Sequence, residues 1–235
     1  RRHPLAGTFM EMLASCGGSL IDEAGKPAFN NESGKQALQF MVDLHRNWKV
    51  TPPNLPDFMY EDVSAAFREG KVAMVFDWPG EYGQLKDAEK SRVAGKVGFA
   101  LYPIGPAGLR RVYGGAHSFA VAQGSRNVEA AVSLVKFLTS PESQHFQYVK
   151  EGFLPTRISV WQRIQREAER SPDPLDPTRL KIFRRTIEEA YLPVKVTRWV
   201  DFYEAVWPEL NAALRGVKTV EEALESAYRK AVGVT

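Results

Sequence analysis

The run Ala65-Ala-Phe-Arg-Glu-Gly-Lys-Val-Ala-Met-Val-Phe-Asp-Trp-Pro79 leaves few folds open. Val63, Ala66 and Phe67 share one helical face behind Asp62, a residue type that caps helix N-termini, and Gly70 suits the left-handed position after a helix. Val72 to Phe76 is then a short apolar run with the length and character of a strand covered on both faces. In open α/β sheets ligands lie outside the carboxyl ends of the strands. The chain places Trp78 there, followed by rigid Pro79 and flexible Gly80. Two readings are open for that indole: a ring offered to a ligand, or a packed core residue.

Elsewhere helix signals dominate. A helix is expected over Thr8 to Ser15, stopped by Gly17-Gly18, and a turn or small hairpin around Asp22 to Lys26. Ser33 and Gln36 have capping-box spacing before Ala37, Phe40, Met41, Leu44 and Trp48, which recur at helical intervals. Val97 to Tyr102 and Ser118 to Ala122 read as two further strands, separated by a Gly/Pro-rich loop and Gly114-Gly115. From Asn127 onward the pattern is nearly all helix. Its punctuation is Ser140-Pro141, Gly152, Ser159 with Gln162, Asp176-Pro177, Pro208 as a kink or break, Gly216, and Thr219 with Glu222. Three strands in 235 residues fall short of the roughly 20–25% strand content of ordinary domains. Either the domain is strongly helical or part of its sheet is encoded elsewhere.

Composition narrows the function classes. A net charge of +3 argues against nucleic acid or an anionic membrane surface as partner. The single cysteine, Cys16, excludes an internal disulfide, and the four histidines lack metal-ligand spacing, so neither a metal site nor a cofactor motif is legible. There is no Gly-x-Ser-x-Gly elbow, no phosphate-cradling loop and no cysteine with a poised base. No catalytic residue is assigned and the chain reads as a non-enzyme. A glycosidase using Asp77 and Glu81 is the weaker enzymatic reading.

The ordered set Gly17-Gly18, Asp22-x-x-Gly25-Lys-Pro27, Phe67-x-x-Gly70-Lys-x-Ala-Met74, Asp77-Trp78, Tyr113-Gly-Gly115, Phe137-Leu-Thr-Ser-Pro-Glu142, Gly152-Phe-Leu-Pro-Thr-Arg157, Ala213-Leu-x-Gly216 and Glu222-Ala-Leu224 resembles the extracellular sugar-binding proteins of bacterial ABC importers, the maltose-binding-protein-like group. The resemblance implies an α/β, type II periplasmic-binding-protein-like fold of two lobes with a ligand cleft between them. It further implies a helix-rich chain truncated to lobe two, the crossing segment and the C-terminal helices. Residues 1–112 would be the lobe-two core. Residues 113–170 would be the crossing strand and helices that belong to lobe one in relatives, and residues 171–235 the helices returning to lobe two. Apolar faces left bare by a missing lobe-one segment would need that segment or another protomer to cover them.

By the same resemblance the ligand is a carbohydrate, whose apolar C–H faces stack on aromatic rings and whose hydroxyls pair with polar groups. Trp78 is the stacking ring, and Glu81 and Tyr82 are candidates for hydroxyls or for solvated surface. Gly114 and Gly115 are a close backbone approach or a hinge, and His117 stands beside them. Arg157 is either structural or ligand-facing. Leu192-Pro193-Val-Lys195 departs from the group's frequent Arg-Pro start, leaving Arg198 as the nearest substitute. Tyr203 and Trp199 compete for the late aromatic of the cleft, and the other would be core. The implied partners are permease subunits, at a periplasmic or extracellular location held to the membrane by the transporter or by a lipid anchor on the full-length protein. A fragment of this kind is expected to bind sugar weakly or not at all alone. The alternatives are a polyamine or glycerol phosphodiester ligand, or a helical interaction domain without a small ligand.

Overall fold

The computed structural model describes residues 4–115, 117–173, 175–192 and 196–234. In chain order the elements are α1 (Leu5–Ser15), α2 (Glu32–Val42), α3 (Tyr60–Arg68), a one-turn α4 (Tyr82–Leu85), β1 (Val112–Tyr113), α5 (Val128–Leu138), α6 (Pro141–Glu151), α7 (Ile158–Ala168), α8 (Leu175–Glu188), β2 (Ala190–Tyr191), α9 (Trp199–Leu214) and α10 (Val220–Val232). No helix among the described residues is long and apolar enough to cross a membrane.

Two hydrophobic cores organise these elements. In the larger, α1, α2, α9 and α10 pack around Phe29, which is fully buried at the end of the small hairpin. The rings of Phe9, Phe202 and Tyr228 all meet Phe29 edge-on, with centroids 6.2, 6.3 and 6.4 Å away. That is the geometry in which a ring's positive edge meets a neighbour's negative face. The hairpin itself is pinned by Asp22, whose carboxylate accepts the backbone N–H groups of Ala24 and Lys26, and by an antiparallel bridge between Ile21 and Pro27. The smaller core joins α7 and α8 through Val160, Trp161, Ile164, Ala168 and Leu180, with Tyr148 of α6 against it.

Glycine and capping signals act where the sequence puts them. Gly70, Gly152 and Gly216 all take positive φ at helix ends, Ser140 caps α6 ahead of Pro141, and Thr219 with Glu222 forms the capping box of α10. Three cap assignments are corrected. Asn31 caps α2, accepting the Gly34 N–H, while the hydroxyl of Ser33 donates to the Cys16 carbonyl. Asp62 lies one turn inside α3, where its carboxylate accepts the Met59 N–H. Ser159 is inside α7, which begins after Arg157. Pro208 neither ends nor splits α9, which runs continuously through it.

The three expected strands are the larger correction. Lys71 to Phe76, Val97 to Tyr102 and Ser118 to Ala122 form no ladder. The one sheet among the described residues is β1 paired in parallel with β2, Val112 opposite Ala190 and Tyr113 opposite Tyr191. A strand exists only through a neighbour's hydrogen bonds, and among the described residues these runs join no ladder. Their apolar side chains are correspondingly open: Met74 is 87% and Phe76 52% exposed. Helix α5 has no buried residue, and its Leu134 and Phe137 face outward.

At the junction of α9 and α10 the side chain of Glu209, only 8% exposed, accepts from both Lys218 and Lys230. These bonds outweigh the cost of burial and hold its carboxyl down at about 2. A depressed carboxyl stabilises the fold above its ordinary value of 4.5, and that contribution is lost as pH falls from there through about 2. Glu209→Gln is expected to lower stability at neutral pH by about 2 kcal/mol and to flatten acid unfolding over that window, measured by urea denaturation across pH. At the sheet, a Cβ on Gly114 would stand 2.7 Å from the Ala190 Cβ. Gly114→Ala is therefore expected to destabilise the β1–β2 pairing and Ala190→Gly to restore it, read as a coupling energy in a double-mutant cycle.

Candidate functional site

Trp78 owes its position to the residue before it. One oxygen of the Asp77 carboxylate accepts the Trp78 N–H at 2.8 Å, and the other accepts the hydroxyl of Ser64 on α3 at 2.6 Å. Burial pushes the Asp77 carboxyl up, against those two bonds and the Arg68 charge. Pro79 then turns the chain into a 3-10 turn, Pro79–Glu81. The indole emerges 46% exposed and is met edge-on by Tyr113 of β1, centroid to centroid 6.1 Å at 84°. Two residues earlier, Phe76 lies tilted on Tyr102 at 4.3 Å. Four rings in two pairs thus form an aromatic wall, with Phe76 and Trp78 at alternate positions of one segment.

Behind the wall is Glu11 of α1. Its carboxylate accepts the Tyr113 backbone N–H at 2.9 Å and the Tyr102 hydroxyl at 3.5 Å. Burial outweighs both bonds and raises its carboxyl from 4.5 to about 7, and the Tyr102 phenol is pushed upward by burial and by Glu11 itself. Glu11 was not among the residues singled out from the sequence. The signal available was that it is the one charge in α1, an otherwise uncharged helix.

The other sequence candidates divide. Glu81 is ion-paired to Arg68 at 3.1 Å beside the wall; burial and the Asp77 charge raise its carboxyl against that arginine. Tyr82 is 4% exposed and packed, not open to a ligand: its hydroxyl donates to Asp173, and the Arg179 guanidinium lies 4.1 Å from its ring. The N–H of Gly114 is taken by the Tyr191 carbonyl at 3.0 Å, and its missing side chain leaves room for Ala190. Gly115 and His117 are exposed just beyond it. The Arg157 Nε–H donates to the Thr139 carbonyl at 2.6 Å, with the residue exposed. Arg198 pairs with Asp201 one turn into α9. Trp199 stacks on Phe202 at 5.7 Å and packs, half-buried, against the large core, and Tyr203 is buried in the same helix. Residues 193–195, which carry the departure from the Arg-Pro pattern, lie outside the described residues. A concavity of about 710 Å³ between α3 and residues 49–54 is lined by none of the four wall rings.

Because the Glu11 carboxyl is raised in the folded chain, its contribution to stability is fully present below 4.5 and declines as pH rises through about 7. Glu11→Gln, neutral throughout, is expected to be more stable than the parent by about 2 kcal/mol near pH 8 and indistinguishable from it near pH 4, measured by thermal denaturation at both values.

Comparison with known proteins places these features in a family. The bacterial extracellular solute-binding protein model matches residues 4–145. A probable amino-acid ABC transporter periplasmic-binding protein of Sinorhizobium fredii is 28% identical over 225 residues, covering 95% of this chain and 48% of that protein. A maltooligosaccharide ABC transporter solute-binding lipoprotein of Streptococcus pneumoniae is 25% identical over 182 residues, 74% of this chain and 40% of its own length. The maltose-bound structure of MalE3 from T. maritima superimposes with a TM-score of 0.82 at 29% identity, over 98% of this chain and 57% of that one. The chain therefore spans about half the length of the relatives it matches, and it carries the helix-rich fold of the type II periplasmic binding proteins. It belongs to the bacterial extracellular solute-binding proteins of ABC transporters.

Proposed function

We propose that this chain is the carbohydrate-holding part of a non-catalytic ABC importer component, with Trp78 as the ring on which a pyranose stacks. The observation that carries the reading is the half-exposed indole braced edge-on by Tyr113, with Phe76 on Tyr102 beside it. An apolar, flat, rigid surface is what the C–H face of a sugar requires, and it costs little conformational entropy on binding. The pneumococcal relative is named for maltooligosaccharides and the T. maritima structure holds maltose, which supports the same ligand class. The S. fredii relative is named for amino acids. An amino acid zwitterion needs a free cation and a free anion, but Arg68 and Glu81 beside the wall are paired with each other, as are Arg198 and Asp201. That arrangement favours a neutral polyhydroxyl ligand.

In the whole protein the sugar would be held in the cleft between two lobes and presented to permease subunits outside the cytoplasmic membrane, through the transporter or a lipid anchor. Within that reading residues 1–112 would form lobe two, 113–170 the crossing segment and lobe-one helices, and 171–235 the return to lobe two. Saturation-transfer NMR with maltotriose is the test. Weak binding with transfer to the pyranose C–H protons, lost in Trp78→Ala while the helical circular dichroism is unchanged, is the expected result. Transfer that persists in Trp78→Ala, or that appears with amino acids and not with maltotriose, overturns it.

A further inference from the structure

Glu11 ties together parts of the wall that are distant in sequence. Its two carboxylate oxygens reach Tyr113 and Tyr102, and each of those residues carries one ring of the wall and braces the other ring of its pair, Trp78 and Phe76 respectively. The Tyr113 N–H cannot join the β1–β2 ladder, whose adjoining bond runs from the Gly114 N–H to the Tyr191 carbonyl. The side chain of Glu11 therefore supplies the acceptor that this face of β1 needs. We propose that Glu11 is a positioning residue for the aromatic wall, setting where Tyr113 and hence Trp78 stand, so that ligand affinity rises when its carboxyl ionises. This rests on the wall being the ligand face.

The direction follows from the bonds. An ionised carboxylate accepts from both the Tyr113 N–H and the Tyr102 hydroxyl, and a bond to a charged acceptor is shorter and roughly twice as strong as its neutral counterpart. The protonated acid has a proton of its own to place and holds Tyr113 less firmly. Burial has already brought the group to about 7, where modest changes in pH move it. On α2, Glu32 is exposed, and the other ionisable groups on the elements around it that have partners are engaged elsewhere. Arg110 donates to the Tyr102 carbonyl and pairs with Glu189 at 2.9 Å. On α2, Lys35 faces Glu221. On α9, Asp201 pairs with Arg198, Glu204 accepts from the Trp207 indole, and Glu209 holds its two lysines. Arg111 adjoins β1, and His117 lies four residues beyond Tyr113 and is exposed.

The test reads the wall directly by NMR, following the Tyr113 amide and the Trp78 indole N–H across pH in the parent chain and in Glu11→Gln. The substitution keeps the shape of the side chain, its carbonyl acceptor and His117. Both signals moving together with a midpoint near 7 in the parent, and neither doing so in Glu11→Gln, is the expected result. A Trp78 signal that stays still while Tyr113 titrates, or that titrates equally in Glu11→Gln, overturns the proposal. Maltotriose titrations at the two ends of that range should show several-fold tighter binding at the alkaline end in the parent and no pH dependence in Glu11→Gln. Sugar binding with no pH dependence in the parent overturns the link to affinity. Absence of sugar binding at every pH overturns the carbohydrate reading instead, and the two NMR signals still decide the role of Glu11.

Discussion

The structure turns on Tyr113. Its backbone N–H is fixed by Glu11 of α1, the next N–H is fixed by the Tyr191 carbonyl of β2, and its ring packs against the large core while its edge meets Trp78. Each of these contacts comes from a different part of the chain, so one residue registers α1, the late strand and the indole segment on one another. The two-stranded sheet is short, and such a pair has little stability alone. It persists because Gly114 lets Ala190 close in and because Glu11 satisfies the donor on its outer side. The aromatic wall inherits its rigidity from that junction and not from a sheet beneath it.

A second constraint explains the uneven packing. Hydrophobic runs such as Val72 to Phe76 are written for burial on two faces, yet with no ladder beside them they leave Met74 and Phe76 open to solvent. The same holds for α5, which packs beside α6 but buries none of its residues. The helices of the two cores do not share this problem, because each presents a single stripe and finds another helix to cover it. Helix pairs are self-sufficient in a way that single strands are not.

That contrast also decides what the sequence made legible. Features set within a few residues were readable: the left-handed glycines at 70, 152 and 216, the Ser140-Pro141 start, the Thr219–Glu222 box and the Asp22 turn all stand where the pattern puts them. Features that depend on a distant partner were not. The hydroxyl of Ser33 serves the Cys16 carbonyl instead of its own helix, and the helical spacing through Leu44 passes into a π-turn at Asp43–Asn47 that leaves Phe40 and Trp48 meeting edge-to-face at the surface. At the candidate site, the place of Trp78 after an apolar run left an offered ring and a packed core residue both open, and the indole is half-exposed. Tyr82, four residues on, read as a contact for ligand hydroxyls or as solvated surface and is instead buried under Arg179 from α8, a contact no local pattern announces. Glu11 was hidden for the same reason, since its meaning comes from residues about a hundred positions away.

The charges around the wall bear on what it can discriminate. An aromatic face by itself binds any flat apolar surface, so selectivity has to come from the polar groups at its edge. Here Arg68 is paired with Glu81, and Asp77 is turned inward toward Ser64 and the Trp78 backbone. A charged ligand would have to break an existing pair and leave one member partly desolvated, which costs more than a new surface ion pair returns. A polyhydroxyl ligand need break nothing: the outer lone pairs of a carboxylate already held by an arginine still accept hydroxyl protons. On the proposed carbohydrate reading, selection for neutral sugars would arise from charges that satisfy one another before the ligand arrives.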